Sequence, residues 1–192
     1  MFNFKNTNMK KIFFAVTFII TALVSNAQVS FDVRAGANVS GIENSNTQMK
    51  WGLKVGAGIE YSFTEAFSVR PMVYYTSKGS TEGKNNLGFS PDKIMPLDYI
   101  QLPVLASYRF KITDSFSLSV NAGPYAAYLI NKKNTEADLK YNKFDAGINS
   151  GIDFVFQRFV VGVEAEYGLS SLSSNVDKLH NINYSLTIGY KF

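Results

Sequence analysis

The chain has 192 residues, of which 46% are hydrophobic and 15% aromatic, with no cysteine and a formal net charge of +4. That length suits one folded domain, and the missing cysteine excludes disulfides, thiolate metal sites and a lipidated amino-terminal cysteine. Lys5, Lys10 and Lys11 are the only charges in the first 27 residues, and setting them apart from 19 basic and 15 acidic residues leaves a nearly neutral chain. No nucleic-acid partner is expected of it.

Those three lysines precede an apolar run, Ile12 to Val24, and then the small residues Ser25-Asn26-Ala27. This is the pattern of a cleavable Sec signal peptide over 1–27, with cleavage after Ala27. An uncleaved anchor is the alternative, but the run is shorter than the ~20 residues a spanning helix requires. The remainder, 28–192, is read as one β-barrel domain.

From Gln28 onward a period of two recurs in eight segments, the mark of strands with one apolar face. The first alternates Val29, Phe31, Val33, Ala35, Ala37 and Val39 with Ser30, Asp32, Arg34, Gly36, Asn38 and Ser40. The second sets Trp51 through Phe63, at odd positions, against Gly52, Lys54, Gly56, Gly58, Glu60 and Ser62. In the third, Phe67, Val69, Pro71, Val73 and Tyr75 oppose Ser68, Arg70, Met72, Tyr74 and Thr76. The fourth opposes Ile100 through Phe110 to Tyr99, Gln101, Pro103, Leu105, Ser107 and Arg109.

The fifth alternates Phe116 through Tyr128 with Ser117, Ser119, Asn121, Gly123, Tyr125 and Ala127. In the sixth, Phe144 through Phe156 turn away from Asp145, Gly147, Asn149, Gly151 and Asp153. The seventh places Phe159, Val161, Val163, Ala165 and Tyr167 opposite Val160, Gly162, Glu164, Glu166 and Gly168. The eighth, INYSLTIGYKF, runs from Ile182 to Phe192 and reads as the strand that closes back on the first. No segment keeps a helical period.

Long polar connections (Gly41–Lys50, Gly79–Pro96, Asn131–Lys143, Ser171–Asn181) alternate with short ones at Thr64–Ala66, Lys111–Ser115 and Gln157–Arg158. Short turns at one end and long loops at the other are the plan of an all-β, eight-stranded antiparallel up-and-down transmembrane barrel. Pro71, Pro103 and Pro124 fall inside strands and are expected to mark bulges, since proline cannot donate to a ladder.

Alternation alone does not say which face is outside, and a soluble ligand-binding barrel would turn its apolar face inward. Here the polar face is small and mixed in charge. The apolar face carries aromatics near the short turns, such as Phe31, Phe67, Phe110 and Phe156, and a second set near the loops, such as Trp51, Tyr128, Phe144 and Tyr184. Two aromatic belts around an aliphatic band fit a bilayer, so the apolar face is read as facing lipid. Eight strands close a barrel too narrow for an open pore.

Asp32, Arg34, Lys54, Glu60, Arg70, Arg109, Asp145, Asp153, Glu164, Glu166 and Lys191 then point inward. They could form an ion or proton path. The desolvation cost of buried charge favours a mutually paired polar network instead. The sole histidine, His180, sits near Ser173, Ser174 and Asp177, so a lipid hydrolase at the rim is conceivable. No nucleophile motif surrounds them, and no catalytic residue is assigned. No cofactor or metal is expected; Glu136, Asp138 and Asp145 lack a calcium-loop pattern. The stretch Gly79–Pro96, with Lys78, Lys84 and Lys93 beside Leu87, Phe89, Ile94 and Met95, is the candidate protein contact, with plain surface variation as the alternative.

Four stretches, FSVRPMVYYTSKG (Phe67–Gly79), DYIQLPVLASYRF (Asp98–Phe110), SLSVNAGPYAAYLI (Ser117–Ile130) and the terminal GYKF, resemble the PorT-like outer-membrane β-barrel family of Bacteroidota. The chain is read as a monomeric, non-enzymatic barrel among the outer-membrane lipids of a Gram-negative bacterium, and the resemblance implies the outer-membrane location. It also implies insertion by the barrel-assembly machinery, with Tyr190 and Phe192 as part of its recognition signal. Some relatives of this kind take part in protein secretion, which makes an accessory secretion role the second reading.

Overall fold

The computed structural model describes residues 28–43, 48–82, 93–132, 142–171 and 180–192. The expected signal peptide lies outside them. Eight strands follow one another: β1 (Gln28–Glu43), β2 (Gln48–Ser62), β3 (Phe67–Glu82), β4 (Lys93–Lys111), β5 (Phe116–Lys132), β6 (Phe144–Phe156), β7 (Phe159–Gly168) and β8 (His180–Lys191). Each pairs antiparallel with the next, and β8 returns to β1, closing the barrel. The closing ladder runs from Asp32 opposite Lys191 to Glu43 opposite His180. Below it the Phe192 N–H donates to the Phe31 carbonyl at 2.9 Å.

The apolar face is outside. Trp51 is 72% exposed and Phe192 65%, whereas Asp32, Lys54, Asp153 and Asn183 have no measurable exposure. This inverts a water-soluble protein and rules out the soluble barrel with an inward apolar cavity. Tyr190 packs edge-on between Phe159 and Phe192, with centroids 5.4 Å and 5.0 Å away, and forms part of the belt at the short-turn end.

The short turns share a device. Thr64 Oγ1 accepts from the Phe67 N–H at 2.9 Å, and Thr113 Oγ1 accepts from the Phe116 N–H at 3.0 Å, each closing a four-residue turn. The two-residue turn between β6 and β7 instead puts Gln157 at φ 53°. A side chain in that region costs roughly 1–2 kcal/mol that glycine avoids. Gln157→Gly is therefore expected to stabilise the barrel by about 1 kcal/mol, read as a higher urea midpoint in reversible unfolding from detergent.

Two expectations need correction. The prolines make no bulges: β2–β3, β3–β4 and β4–β5 keep one register on both sides of Pro71, Pro103 and Pro124. The register shifts lie elsewhere, between Met49 and Lys54 and between Asp98 and Tyr99. A missing N–H removes one bond from one neighbouring ladder and leaves the strand free to stay extended. The long connections are also shorter than their composition suggests. β1 continues to Glu43, and β3 and β4 stay paired up to Glu82 opposite Lys93. Hydrophobic alternation reports lipid contact, whereas backbone pairing needs no apolar face, so the polar run Ser77–Glu82 still pairs with β4. Gly79, in this upper part, has φ 129°, a backbone that disfavours a side chain.

Candidate functional site

The lumen holds the polar side chains, and the register stacks them in tiers. Nearest the short turns, the Glu60 carboxylate is shared by Arg109 and Lys191 and accepts from Ser68 Oγ at 3.0 Å. Above it, Arg34 spans two carboxylates from opposite walls. Its Nη2 donates to Asp32 Oδ2 at 2.6 Å and its Nη1 to Asp153 Oδ1 at 2.8 Å. Arg70 reaches the other Asp153 oxygen at 2.6 Å. One buried knot thus joins β1, β3 and β6, three strands that are not mutual neighbours in the sheet.

A second knot lies higher. Lys54 Nζ donates to Glu164 Oε2 and Glu166 Oε1, both at 2.6 Å, and stands over the Tyr74 ring at 4.6 Å. Glu166 is the hub: it also takes Lys78 Nζ at 2.8 Å, Gln101 Nε2 at 2.9 Å and Asn183 Nδ2 at 3.1 Å. Nearest the loops, Asp145 accepts only neutral donors among the described residues: Tyr125 OH at 3.3 Å, Ser170 Oγ at 2.8 Å and Asn181 Nδ2 at 2.9 Å. Arg70, Tyr74, Tyr99, Lys54 and Lys78 are among the largest fully buried side chains. They fill the lumen, as a barrel of this width requires.

Lys78 is therefore not part of the loop contact. It stands over the Tyr125 ring at 4.7 Å inside the barrel. The signal was in the sequence, since Lys78 continues the even-numbered inward positions of β3 beyond Arg70, Tyr74 and Thr76. The amides Gln101, Asn149 and Asn183 share that alternation, but nothing in it says which carboxylate each meets; Asn149 Nδ2, for example, donates to Glu164 Oε2 at 3.1 Å.

The family described as outer membrane protein beta-barrel domain matches residues 18–174. The chain belongs to that family. Among solved structures, the outer membrane protein OprG of Pseudomonas aeruginosa is similar with a TM-score of 0.54 and 13% identity, over 86% of this chain and 97% of that one. The outer membrane enzyme PagL is similar with a TM-score of 0.52 and 18% identity, over 83% of this chain and 98% of that one. At such identities the likeness is one of fold. No curated protein sequence matches.

As a member of this family, the chain is an outer-membrane barrel. At the loop-side rim, His180 stacks on Tyr167 with centroids 5.7 Å apart, and Tyr167 OH donates to Glu43 Oε2 at 2.7 Å. Ser173, Ser174 and Asp177 lie outside the described residues, as do Glu136, Asp138, Lys84, Leu87 and Phe89. Among the described residues no group of three or more His, Cys, Asp or Glu side chains could hold a metal ion.

Proposed function

We propose that this barrel is a non-enzymatic scaffold whose closed sheet carries four outer connections for contact with another molecule at the cell surface. The observation that carries this reading is the filled lumen. Among the described residues Arg34, Lys54, Arg70, Lys78, Arg109 and Lys191 are each engaged by a carboxylate, so chemistry or transport through the middle would first have to break buried pairs. What remains available is the sheet that β3 and β4 extend above the aromatic belt, carrying the 83–92 connection. Rigid scaffolds with long loops place binding there.

The test is to replace 83–92 with a short Gly-Ser turn. The variant is expected to keep the mobility shift between unboiled and boiled samples that marks a folded barrel, and to lose surface cross-links made by the parent. Unchanged cross-links would move the contact to another connection. The resemblance to PorT-like proteins supports an accessory role in a secretion apparatus as the nature of that contact.

Export through a signal peptide over 1–27, a monomeric state, and assembly by the barrel-assembly machinery through Tyr190 and Phe192 belong to the same proposal. Phe192 is exposed on the belt and leans on Tyr190. Phe192→Ala is expected to slow appearance of the heat-modifiable form in cells several-fold while leaving refolding into detergent unaltered. Equal slowing in both would make the ring a matter of stability alone.

A further inference from the structure

The lipid-facing wall is not uniform. Around the seam where β8 meets β1, a trench of about 730 Å³ lies between two rows of outward side chains. One flank is the row Phe159, Tyr190, Val33, Ala57 and Val73, in which each residue is opposite the next across β7–β8, β8–β1, β1–β2 and β2–β3. The other flank is Ile188, Ala35 and Val55, likewise paired in order. Gly189, Arg34 and Gly56 line the floor between them, where Arg34 contributes backbone because its side chain is wholly inside the lumen. Ala35 and Ala57, diagonal to each other across that floor, leave the width.

The trench climbs. Phe159 adjoins the β6–β7 turn, whereas Val73 lies well up β3, which starts at Phe67. Four steps between neighbouring strands, each ~4.8 Å, carry it about 19 Å. That inclined path is on the scale of one leaflet, half of a hydrocarbon core ~30 Å thick. Its foot is therefore in the aromatic belt of the short-turn end and its head among aliphatic side chains.

A cation stands at the foot. Arg158 directly precedes Phe159, and its carbonyl accepts from the N–H of Lys191, the residue after Tyr190, at 2.8 Å. The two rings that it adjoins pack edge-on, with centroids 5.4 Å apart. Three other cations near the short turns are taken: Arg109 and Lys191 by Glu60, and Lys111 by Asp114 at 3.1 Å. Arg158 is exposed and forms no ion pair among the described residues.

We propose that the trench holds one acyl chain of an anionic phospholipid from the periplasmic leaflet, with the lipid phosphate on Arg158. A hydrocarbon chain is the occupant because the trench continues the wall that already faces lipid. Lying between two rows, the chain meets side chains on both flanks and backbone beneath, which adds dispersion contacts that a flat wall lacks. Short turns lie on the periplasmic side of such barrels, which selects the leaflet. A guanidinium matches a phosphate in charge and in donor geometry, and here its charge is left for the lipid to answer. The site is separate from the surface contact proposed above.

The test is native mass spectrometry of the folded, detergent-solubilised protein titrated with palmitoyl-oleoyl phosphatidylglycerol and, separately, with phosphatidylcholine of the same chains. The expected result is one saturable phosphatidylglycerol per barrel, bound at least fivefold more tightly than phosphatidylcholine. Ala57→Phe, which fills the trench from the lipid side, and Arg158→Gln should each weaken it at least fivefold. Ala106→Phe, at an exposed outward position of β4 outside the trench, and Lys111→Gln should each change it less than twofold. The heat-dependent mobility shift checks that every variant is folded. Lipids that add without saturation overturn the proposal, and so do equal affinities for the two headgroups or paired barrels in place of the lipid adduct. Equal binding by the parent and Ala57→Phe, or by the parent and Arg158→Gln, overturns it as well.

Discussion

Glu166→Gln is expected to destabilise the folded barrel by about 3–5 kcal/mol, the usual cost of removing one partner from a buried ion pair. The reason is the number of cations that depend on it. Lys54 keeps Glu164 at 2.6 Å when Glu166 is neutralised, but Lys78 has no other carboxylate among the described residues. A fully buried ammonium would then rest on the Tyr99 and Tyr125 rings, at 5.8 Å and 4.7 Å from its nitrogen. Cation–π contacts contribute about 2 kcal/mol when desolvated, less than the charge loses. Urea unfolding from detergent should show the drop as a lower midpoint. Adding Lys78→Met removes the stranded charge, so the double variant should recover a good part of the loss. A single-variant loss under about 1 kcal/mol, or no recovery in the double variant, would mean that the lumen is wet enough to screen these charges.

Much of this architecture can be read from alternation because a membrane barrel has a simple rule: odd and even positions face different solvents. Trp51, Leu53 and Val55 look at lipid while Gly52, Lys54 and Gly56 look inward, and no helix or second sheet complicates the pattern. The rule ends where the lipid ends. Ser77 to Glu82 pairs with Lys93 to Asp98 although the polar run Ser77–Glu82 keeps no apolar alternation, because hydrogen bonding to a neighbour needs no apolar face. Lys78, just inside that polar run, reads as a loop residue for that reason although its side chain is buried in the lumen. Inward charge was legible one residue at a time, but its pairing was not. That Arg34 should meet Asp153, 119 positions away, follows from the shear of the closed sheet, which composition does not report.

Closure itself depends on a glycine, and Gly36→Ala is expected to abolish it. A Cβ at Gly36 would lie 2.0 Å from the Leu186 carbonyl oxygen and 2.6 Å from the Thr187 Cα, both backbone atoms of β8. Neither can swing aside as a side-chain tip would. β1 and β8 would have to part along the ladder that joins the first strand to the last, where Gly36 is opposite Thr187. Separation exposes N–H and C=O groups to hydrocarbon, each at a cost of several kcal/mol, so a local clash becomes a failure of the whole seam. The control lies five residues on. A Cβ at Gly41 would come closest to the Met49 side chain, 3.2 Å away at its Cγ, and that flexible chain can yield, while the Met49 Cα stays at an ordinary contact distance of 3.9 Å. Gly41→Ala should therefore give the same heat-dependent mobility shift as the parent, whereas Gly36→Ala should give a single heat-independent band and no folded form in the outer-membrane fraction. If Gly36→Ala folded normally, the seam would have to be looser than the β1–β8 register allows, and closure would rest on the lumen knots that tie β1 to β6 rather than on the ladder.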